Sequence, residues 1–235
     1  MIDHYDWPGG REAMLRFGPA GGPVVIAALP LFEEANRTRA FVVTILRQLA
    51  TRGIASALPD LPASGESSIA TEQAQFLHWG QAFAAATSAL RTTYDSAHVV
   101  ALRGGALLDQ LAKVESRWHL APQSGESVVR ELARVAAASA KEAGESLTPA
   151  ALTQPGPPVE IAGNSLSPAL LSALAAAQPC TSGAVRTIRL ESDPRTADRH
   201  VPGSPLWRRS EPDNDPALAA LLADDIAAWI ASCVA

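Results

Sequence analysis

The residues best placed for chemistry form the segment Ala101-Leu102-Arg103-Gly104-Gly105, which ends an apolar, strand-like run. Glycines in this arrangement are typical of a sharp turn from a strand into a helix, and the pattern G-x-S-x-G uses such a turn to present a nucleophilic serine. Arg103 stands where that serine would be. A guanidinium stays charged at any working pH and offers no lone pair for attack. The sequence therefore predicts a fixed positive charge at this turn.

Two kinds of partner for the Arg103 charge remain open. The helix predicted after the turn would direct free N–H groups toward a ligand, and a guanidinium can bind a carboxylate, phosphate or sulfate bidentately. Alternatively, Glu33 or Glu34 could pair with Arg103, because a buried arginine without a partner is costly. The two arrangements can coexist if a ligand displaces the carboxylate.

Composition argues against several other classes of function. Only 18% of residues are charged, the net charge is -5, and no basic run exceeds two residues, so no nucleic-acid partner is expected. His78, His98 and His119 each lack a second histidine or cysteine at metal-ligand spacing, so we predict neither a metal nor another cofactor. Cys180 and Cys233 are interpreted as free thiols of a reducing compartment.

The location predicted from the sequence is cytoplasmic. The N-terminal residues Met1–Asp6 have neither a basic start nor an apolar stretch, so no signal peptide is expected. No uninterrupted apolar run reaches about 18 residues, so no membrane span is expected either.

Strand and helix signals alternate along most of the 235 residues. Continuous β-branched apolar runs favour parallel strands that are covered on both faces. We therefore predict an α/β fold with a mostly parallel, doubly wound sheet of about 6–8 strands and right-handed crossovers. Strands are predicted at 11–17, 23–29, 54–58, 98–102, 117–121 and 185–190, and helices at 36–51, 72–93, 106–114 and 217–232.

The middle of the chain differs from this alternation. Residues 125–180 are rich in alanine and serine, with helices predicted at 127–143 and 167–177 and a proline-rich break between them. We predict a single domain over 1–235 with a helical, lid-like insertion at 125–180.

Two loop segments carry a resemblance to a known family. Residues 30–39 match the pattern P-x-x-E-E-x-N-x-x-R, and residues 58–67 are similar to LPDLPG-x-G-x-S with Ala63 in place of its first glycine. With the segments 121–126 and 202–211, they resemble the α/β hydrolases, in particular the hydrolase-like proteins associated with exosortase systems. The resemblance implies an α/β-hydrolase fold and gene-neighbourhood ties to surface polysaccharide export and protein sorting.

The resemblance also implies where a catalytic triad would lie. The order in this fold is serine, then Asp or Glu, then histidine. Glu191 or Asp193 would supply the acid. The segment 203–207, where the histidine is expected, contains none, and the nearest candidate is His200. Because the nucleophile and the histidine both lack a candidate in place, we expect the protein to lack serine-hydrolase activity.

Three functions are compatible with these observations. The first is binding of an anion or small molecule in a cleft over Arg103. The second is an active esterase- or thioesterase-like hydrolase with a non-standard nucleophile at Ser64, Ser124 or Ser204. The third is an interaction module linked to exosortase and polysaccharide systems, with the insertion and the last helix as contact surfaces. The candidate ligand-binding residues are Arg103, Gly104, Gly105, Leu31, Phe32, Glu33, Glu34 and Trp207.

Overall fold

Eight strands form one sheet with helices on both of its faces in the computed structural model, which describes residues 1–142 and 148–234. The strands of this sheet are β1 (Ile2–Trp7), β2 (Gly10–Phe17), β3 (Pro23–Ala28), β4 (Ala55–Pro59), β5 (Ser96–Leu102), β6 (Ser116–Leu120), β9 (Ala184–Leu190) and β10 (Arg199–Val201). The helices are α1 (Glu33–Thr51), α2 (Phe76–Arg91), α3 (Gly125–Glu142), α4 (Pro168–Ala176) and α5 (Pro216–Val234).

The sheet has the order β1-β2-β4-β3-β5-β6-β9-β10. β2 pairs antiparallel with β1 and with β4, and every other pairing is parallel. The prediction of a mostly parallel α/β sheet of about 6–8 strands is therefore confirmed, and the sheet has eight strands. Since the carboxyl ends of parallel strands share one edge, the loops after β3, β5, β6 and β9 meet there.

Each face of the sheet carries its own apolar core, as the unbroken hydrophobic strands require. Val24 and Ile26 of β3 join the cluster under α2, α3 and α4, whereas Val25 and Ala27 join the cluster under α1 and α5. This alternation follows the two-residue period of a strand. It decides on which face of the sheet each strand residue is packed.

Helix α5 is long and apolar enough to cross a bilayer, by length and composition alone. One of its faces, including Leu222 and Ile226, is fully buried in the core beside α1. Its Asp225 accepts hydrogen bonds from Trp118 Nε1 at 2.8 Å and from two arginines of β9 and β10. These contacts hold the helix against the sheet, and the arginines and Trp118 keep the pKa of Asp225 far below its usual range despite burial.

The prediction of a helix at 106–114 is wrong. The chain forms only a short 3-10 helix, Arg103–Leu107, and continues irregularly. Arg117 donates to the carbonyl oxygens of Asp109 and Ala112, and the buried Asp109 carboxylate contacts His119 at 2.9 Å. A helix would use these carbonyl oxygens for its own hydrogen bonds. Because no α-helix forms over the described residues 106–114, no helix N-terminus follows the turn to contribute to an anion site.

Three strand features lie outside the sequence predictions. β1 and β10 extend the two edges of the sheet, and β7 (Val159–Ile161) pairs with β8 (Asn164–Leu166) as a small separate hairpin. The segment 125–180, predicted as helical, therefore contains α3, α4 and this hairpin. Its predicted helix end at Ala143 lies outside the described residues, as do 144–147.

Candidate functional site

Arg103 sits at the carboxyl end of β5, near the centre of the sheet edge. Its φ angle is 55°, in the left-handed region that non-glycine residues rarely adopt. Directly after it, a Cβ on Gly105 would lie 2.4 Å from the carbonyl oxygen of Leu29 and 2.6 Å from that of Ala28. Only glycine fits this close approach of the turn to the loop after β3. The backbone is thus that of a strained turn that presents one side chain at the edge of the sheet.

The Arg103 side chain is buried and paired with Glu34 from the first turn of α1. Its Nε donates to Glu34 Oε2 at 3.2 Å and its Nη2 to Oε1 at 2.9 Å, a bidentate arrangement. Only 5% of the Arg103 side chain and 19% of the Glu34 side chain are exposed. Burial raises the pKa of the Glu34 carboxyl, although Arg103 acts to lower it. Glu33 instead lies 3.9 Å from Arg37.

Two further side chains contact the guanidinium of Arg103, and a third, Gln123, contacts one of them. Trp207 packs against it, with the guanidinium carbon 4.9 Å from the ring centroid, a cation–π contact. Glu131 of α3 contacts Nη2 at 3.3 and 3.4 Å. Gln123 donates to Glu131 Oε1 at 2.9 Å. The segment after β3, the insertion helix and the loop after β10 therefore converge on one cation.

A cavity of about 430 Å³ opens beside this cluster, and we call it the arginine cleft. Its basic lining residues are Arg103, Arg130, Arg134, Arg195 and Arg208, against the acidic Glu131 and Asp193. In the described part of the chain, Arg134 and Arg208 make no ion pair, and Arg103 Nη1 makes no hydrogen bond. Arg103 is paired with Glu34 and Glu131, Arg130 with Glu126, and Arg195 with Asp193. Among the described residues lining the cleft, Arg134 and Arg208 are therefore the cations without an acidic partner.

Solved structures with a similar architecture include several α/β hydrolases. Est1E from Butyrivibrio proteoclasticus, with ferulic acid bound, matches at a TM-score of 0.67 and 13% identity over 97% of this chain and 99% of that one. A serine hydrolase without a lid from Xanthomonas campestris matches at 0.57 and 12% identity over 99% and 94%. The chain has the α/β-hydrolase fold.

A third structure of this fold is the bottromycin epimerase BotH in complex with bottromycin A2, with a TM-score of 0.53 and 13% identity over 97% of this chain and 98% of that one. No protein-family model and no curated protein matches the chain. At identities of 12–13%, this structural similarity shows the fold alone, so the chemistry must be argued from the residues of the site.

The candidate triad positions of the α/β-hydrolase fold hold side chains with other partners. Asp193, after β9, lines the arginine cleft but binds Arg189 at 2.8 Å and Arg195 at 2.7 Å. Hydrogen bonds from Arg195, then Arg189, hold the pKa of Asp193 far below its usual range. Glu191 is exposed. His200 lies on β10, exposed, and its Nε2 contacts only the carbonyl oxygens of residues 193 and 195 among the described residues.

The loop after β3, which supplies part of the oxyanion hole in an α/β hydrolase, is packed by apolar side chains. A Cβ on Gly104 would lie 3.2 Å from both Leu31 Cγ and Val128 Cγ2. These contacts cover the backbone that follows the turn residue. Phe32 adopts φ 57° where this loop enters α1 and packs edge-on against Trp79 at 5.8 Å.

The candidate ligand-binding residues do not line a single cavity, and Leu31 and Phe32 also border a third one of about 570 Å³. Arg103 and Trp207 line the arginine cleft. Leu31, Phe32, Glu33, Glu34 and Gly104 line a smaller cavity of about 160 Å³. Gly105 is buried beneath the turn. The residues that sequence reasoning missed are Gln123, Arg130, Glu131, Arg134, Arg195 and Arg208, because a lone polar residue on a helix or loop carries no pattern.

In the described part of the chain, the alternative nucleophiles contact no histidine. Ser64 bonds Leu61 within its turn, and Ser124 accepts from Ser127 N at the start of α3. Ser204 is exposed. His98 does contact two serines, Ser116 at 2.8 Å and Ser96 at 3.0 Å, but it is buried at the opposite, amino-terminal edge of the sheet. Burial lowers the pKa of His98.

Proposed function

We propose that this protein is an α/β-hydrolase-fold binding protein without serine-hydrolase activity, whose arginine cleft holds an anionic small molecule. The observation that supports it most directly is the Arg103 guanidinium at the turn where the fold presents its nucleophile. Arg103 is fixed by Glu34 and Trp207, so the side chain is pre-organised as a cation. Holding a charge in place before a ligand arrives reduces the cost of binding.

The other arginines favour an anion as the ligand. Arg134 and Arg208 are exposed at the cleft and, in the described part of the chain, make no ion pair. Guanidinium groups form bidentate, charge-assisted hydrogen bonds with carboxylates and phosphates. A phosphate or carboxylate between these two side chains would balance their charge and would also receive a hydrogen bond from Arg103 Nη1.

Hydrolysis by another serine has weaker support. A serine nucleophile needs a base within hydrogen-bond reach. Ser64, Ser124 and Ser204 contact no histidine among the described residues, and the contacts of His98 with Ser116 and Ser96 lie at the opposite edge of the sheet from the cleft. The epimerase BotH, with its bound bottromycin A2, is a protein of this fold that is named for something other than hydrolysis.

Inorganic phosphate is expected to raise the melting temperature of the parent protein at constant ionic strength. The double variant Arg134→Gln/Arg208→Gln is expected to bind phosphate at least about tenfold more weakly, since the loss of even one charged hydrogen bond costs about 1.5 kcal/mol. Thermal-shift titration measures both effects. Both arginines are exposed, so the variant retains its fold.

The matched control is Arg47→Gln, which removes the same charge from an exposed position of α1 away from the cleft. Phosphate should stabilise this control as much as the parent. Equal phosphate affinity in the parent, the control and the double variant would show nonspecific charge screening and would contradict the proposal.

We also propose that the protein acts with exosortase and polysaccharide-export systems, in the cytoplasm. The segments that carry the resemblance meet in space: Glu34 and Trp207 both contact Arg103, and Arg39 pairs with Asp60 at 3.2 Å. Ala63, at the glycine position of the second segment, has φ 63°, a conformation that favours glycine. The free thiols Cys180 and Cys233 suit a reducing compartment. Gene neighbourhoods of close homologues test the link: we expect exosortase genes beside them, and unrelated neighbours would refute it.

A further inference from the structure

The arginine cleft adjoins a second cavity of different character. This apolar groove of about 160 Å³ is walled by Leu31, Phe32, Val128, Leu132 and Val135. Gln123 and Glu131 line both cavities and so form their shared boundary. Val135 is 46% exposed, one of few large hydrophobic side chains open to solvent in the described chain. Cationic and apolar surfaces thus meet at a single carboxylate.

Glu131 is held less tightly than Glu34 on the same guanidinium. Glu34 makes a bidentate pair at 2.9 and 3.2 Å and is 19% exposed. The Glu131 oxygens lie 3.3 and 3.4 Å from Arg103 Nη2, and its side chain is 45% exposed. A half-exposed ion pair of this length contributes little to stability. Of the two carboxylates, Glu131 is the one that a competing anion can displace.

The position of Glu131 is chemically a carboxylate site. Arg103 Nη2 donates from one side and Gln123 Nε2 donates from the other at 2.9 Å. Any carboxylate placed there would receive the same two donors. From that point the apolar groove begins directly, because Gln123 and Glu131 are also its lining.

We propose that Glu131 stands in for the carboxylate of the ligand, which is an organic anion with a short apolar arm. The head of the ligand replaces the Glu131 carboxylate on Arg103 and Gln123, and its arm lies in the apolar groove against Leu132 and Val135. This inference rests on the proposed anion binding and adds the class of ligand. It makes helix α3 a competitive occupant of the site, through Glu131, in the unliganded protein.

The test compares acetate with hexanoate by isothermal titration of the intact protein. Hexanoate is expected to bind the parent more tightly, by up to about fourfold for each added methylene, which is about 0.8 kcal/mol per buried CH₂. Glu131→Gln is expected to bind both acids about tenfold more tightly than the parent, because the competing charge is gone. Val135→Asn is expected to reduce the gain in affinity per methylene, because it replaces an apolar wall of the groove with an amide.

Glu142→Gln is the matched control, because it removes the same charge from an exposed site about three turns further along α3. It should bind both acids like the parent. If Glu131→Gln behaves like this control, Glu131 does not occupy the site and the inference is wrong. Equal affinity for acetate and hexanoate in a protein that binds phosphate would overturn the apolar arm alone. Absence of binding for phosphate and both acids, in the parent and in Glu131→Gln, would overturn the proposed function itself.

Discussion

Arg103→Met is expected to lower the free energy of unfolding by about 3–5 kcal/mol at pH 8, the range for breaking a buried ion pair by removing one partner. The reason is Glu34, whose side chain is 19% exposed and would lose the bidentate partner that offsets its burial. Urea unfolding measures the difference. The double variant Arg103→Met/Glu34→Gln should recover about 2 kcal/mol, because no buried charge is left.

The loss in free energy of unfolding caused by Arg103→Met should become smaller as the pH falls from 8 to 5. Burial already raises the folded-state pKa of Glu34, and removing Arg103 removes the group that opposes the rise. A carboxyl with a raised folded pKa is neutral in the folded state at low pH, and its destabilisation grows as pH rises from the unfolded pKa through the folded pKa. The Arg103→Met defect should therefore be smaller at pH 5 than at pH 8.

Arg52→Met serves as the control for both measurements. Arg52 pairs with Asp224 at the surface, where the Asp224 side chain is 70% exposed. This variant should lose less than about 1 kcal/mol, with little change between pH 5 and pH 8. If Arg103→Met resembles Arg52→Met in size and pH dependence, the Arg103–Glu34 pair does not hold the turn in place.

Local sequence was enough to predict most of the fold. The apolar runs at 23–28, 55–59 and 98–102 are strands of the sheet. They could be predicted because a strand buried on both faces is a continuous apolar run without polar alternation. The helix at 106–114 was predicted wrongly for a tertiary reason. Arg117 and His119, on the next strand, hold Asp109 and its neighbours out of helical geometry.

The residues of the candidate site also fall into two groups, those that local sequence could predict and those that only tertiary packing brings together. Arg103 could be found because it interrupts a recognisable pattern, and Glu34 because it belongs to a segment with a known resemblance. Glu131, Arg134 and Arg208 lie on helices or loops where charged residues are ordinary surface. Only the packing of α3 and of the loop after β10 over the sheet edge brings them together. No spacing along the chain encodes that approach.

Arg103→Ser, which restores the serine of the G-x-S-x-G-like turn, is expected to produce no serine-hydrolase activity. Among the described residues, a serine there would have no histidine as its general base, since His200 contacts backbone carbonyl oxygens, and the acid candidate Asp193 is bound by two arginines. A nucleophile without its histidine is slower than a complete triad by on the order of 10⁴-fold or more. Intact-mass spectrometry after treatment with a fluorophosphonate, together with p-nitrophenyl ester hydrolysis, measures the outcome.

The parent and Arg103→Ser should both stay unlabelled under conditions in which an authentic serine hydrolase is labelled completely. Two results would contradict this expectation, and they differ in meaning. An adduct in the parent, abolished by alanine at Ser64, Ser124 or Ser204, would show that the protein is a hydrolase with its nucleophile elsewhere. An adduct at position 103 in the serine variant alone would show that a base lies within reach of the turn. Arg103 would then be the single residue that prevents acyl transfer in this cleft, because its side chain, held by Glu34, occupies the position of the nucleophile.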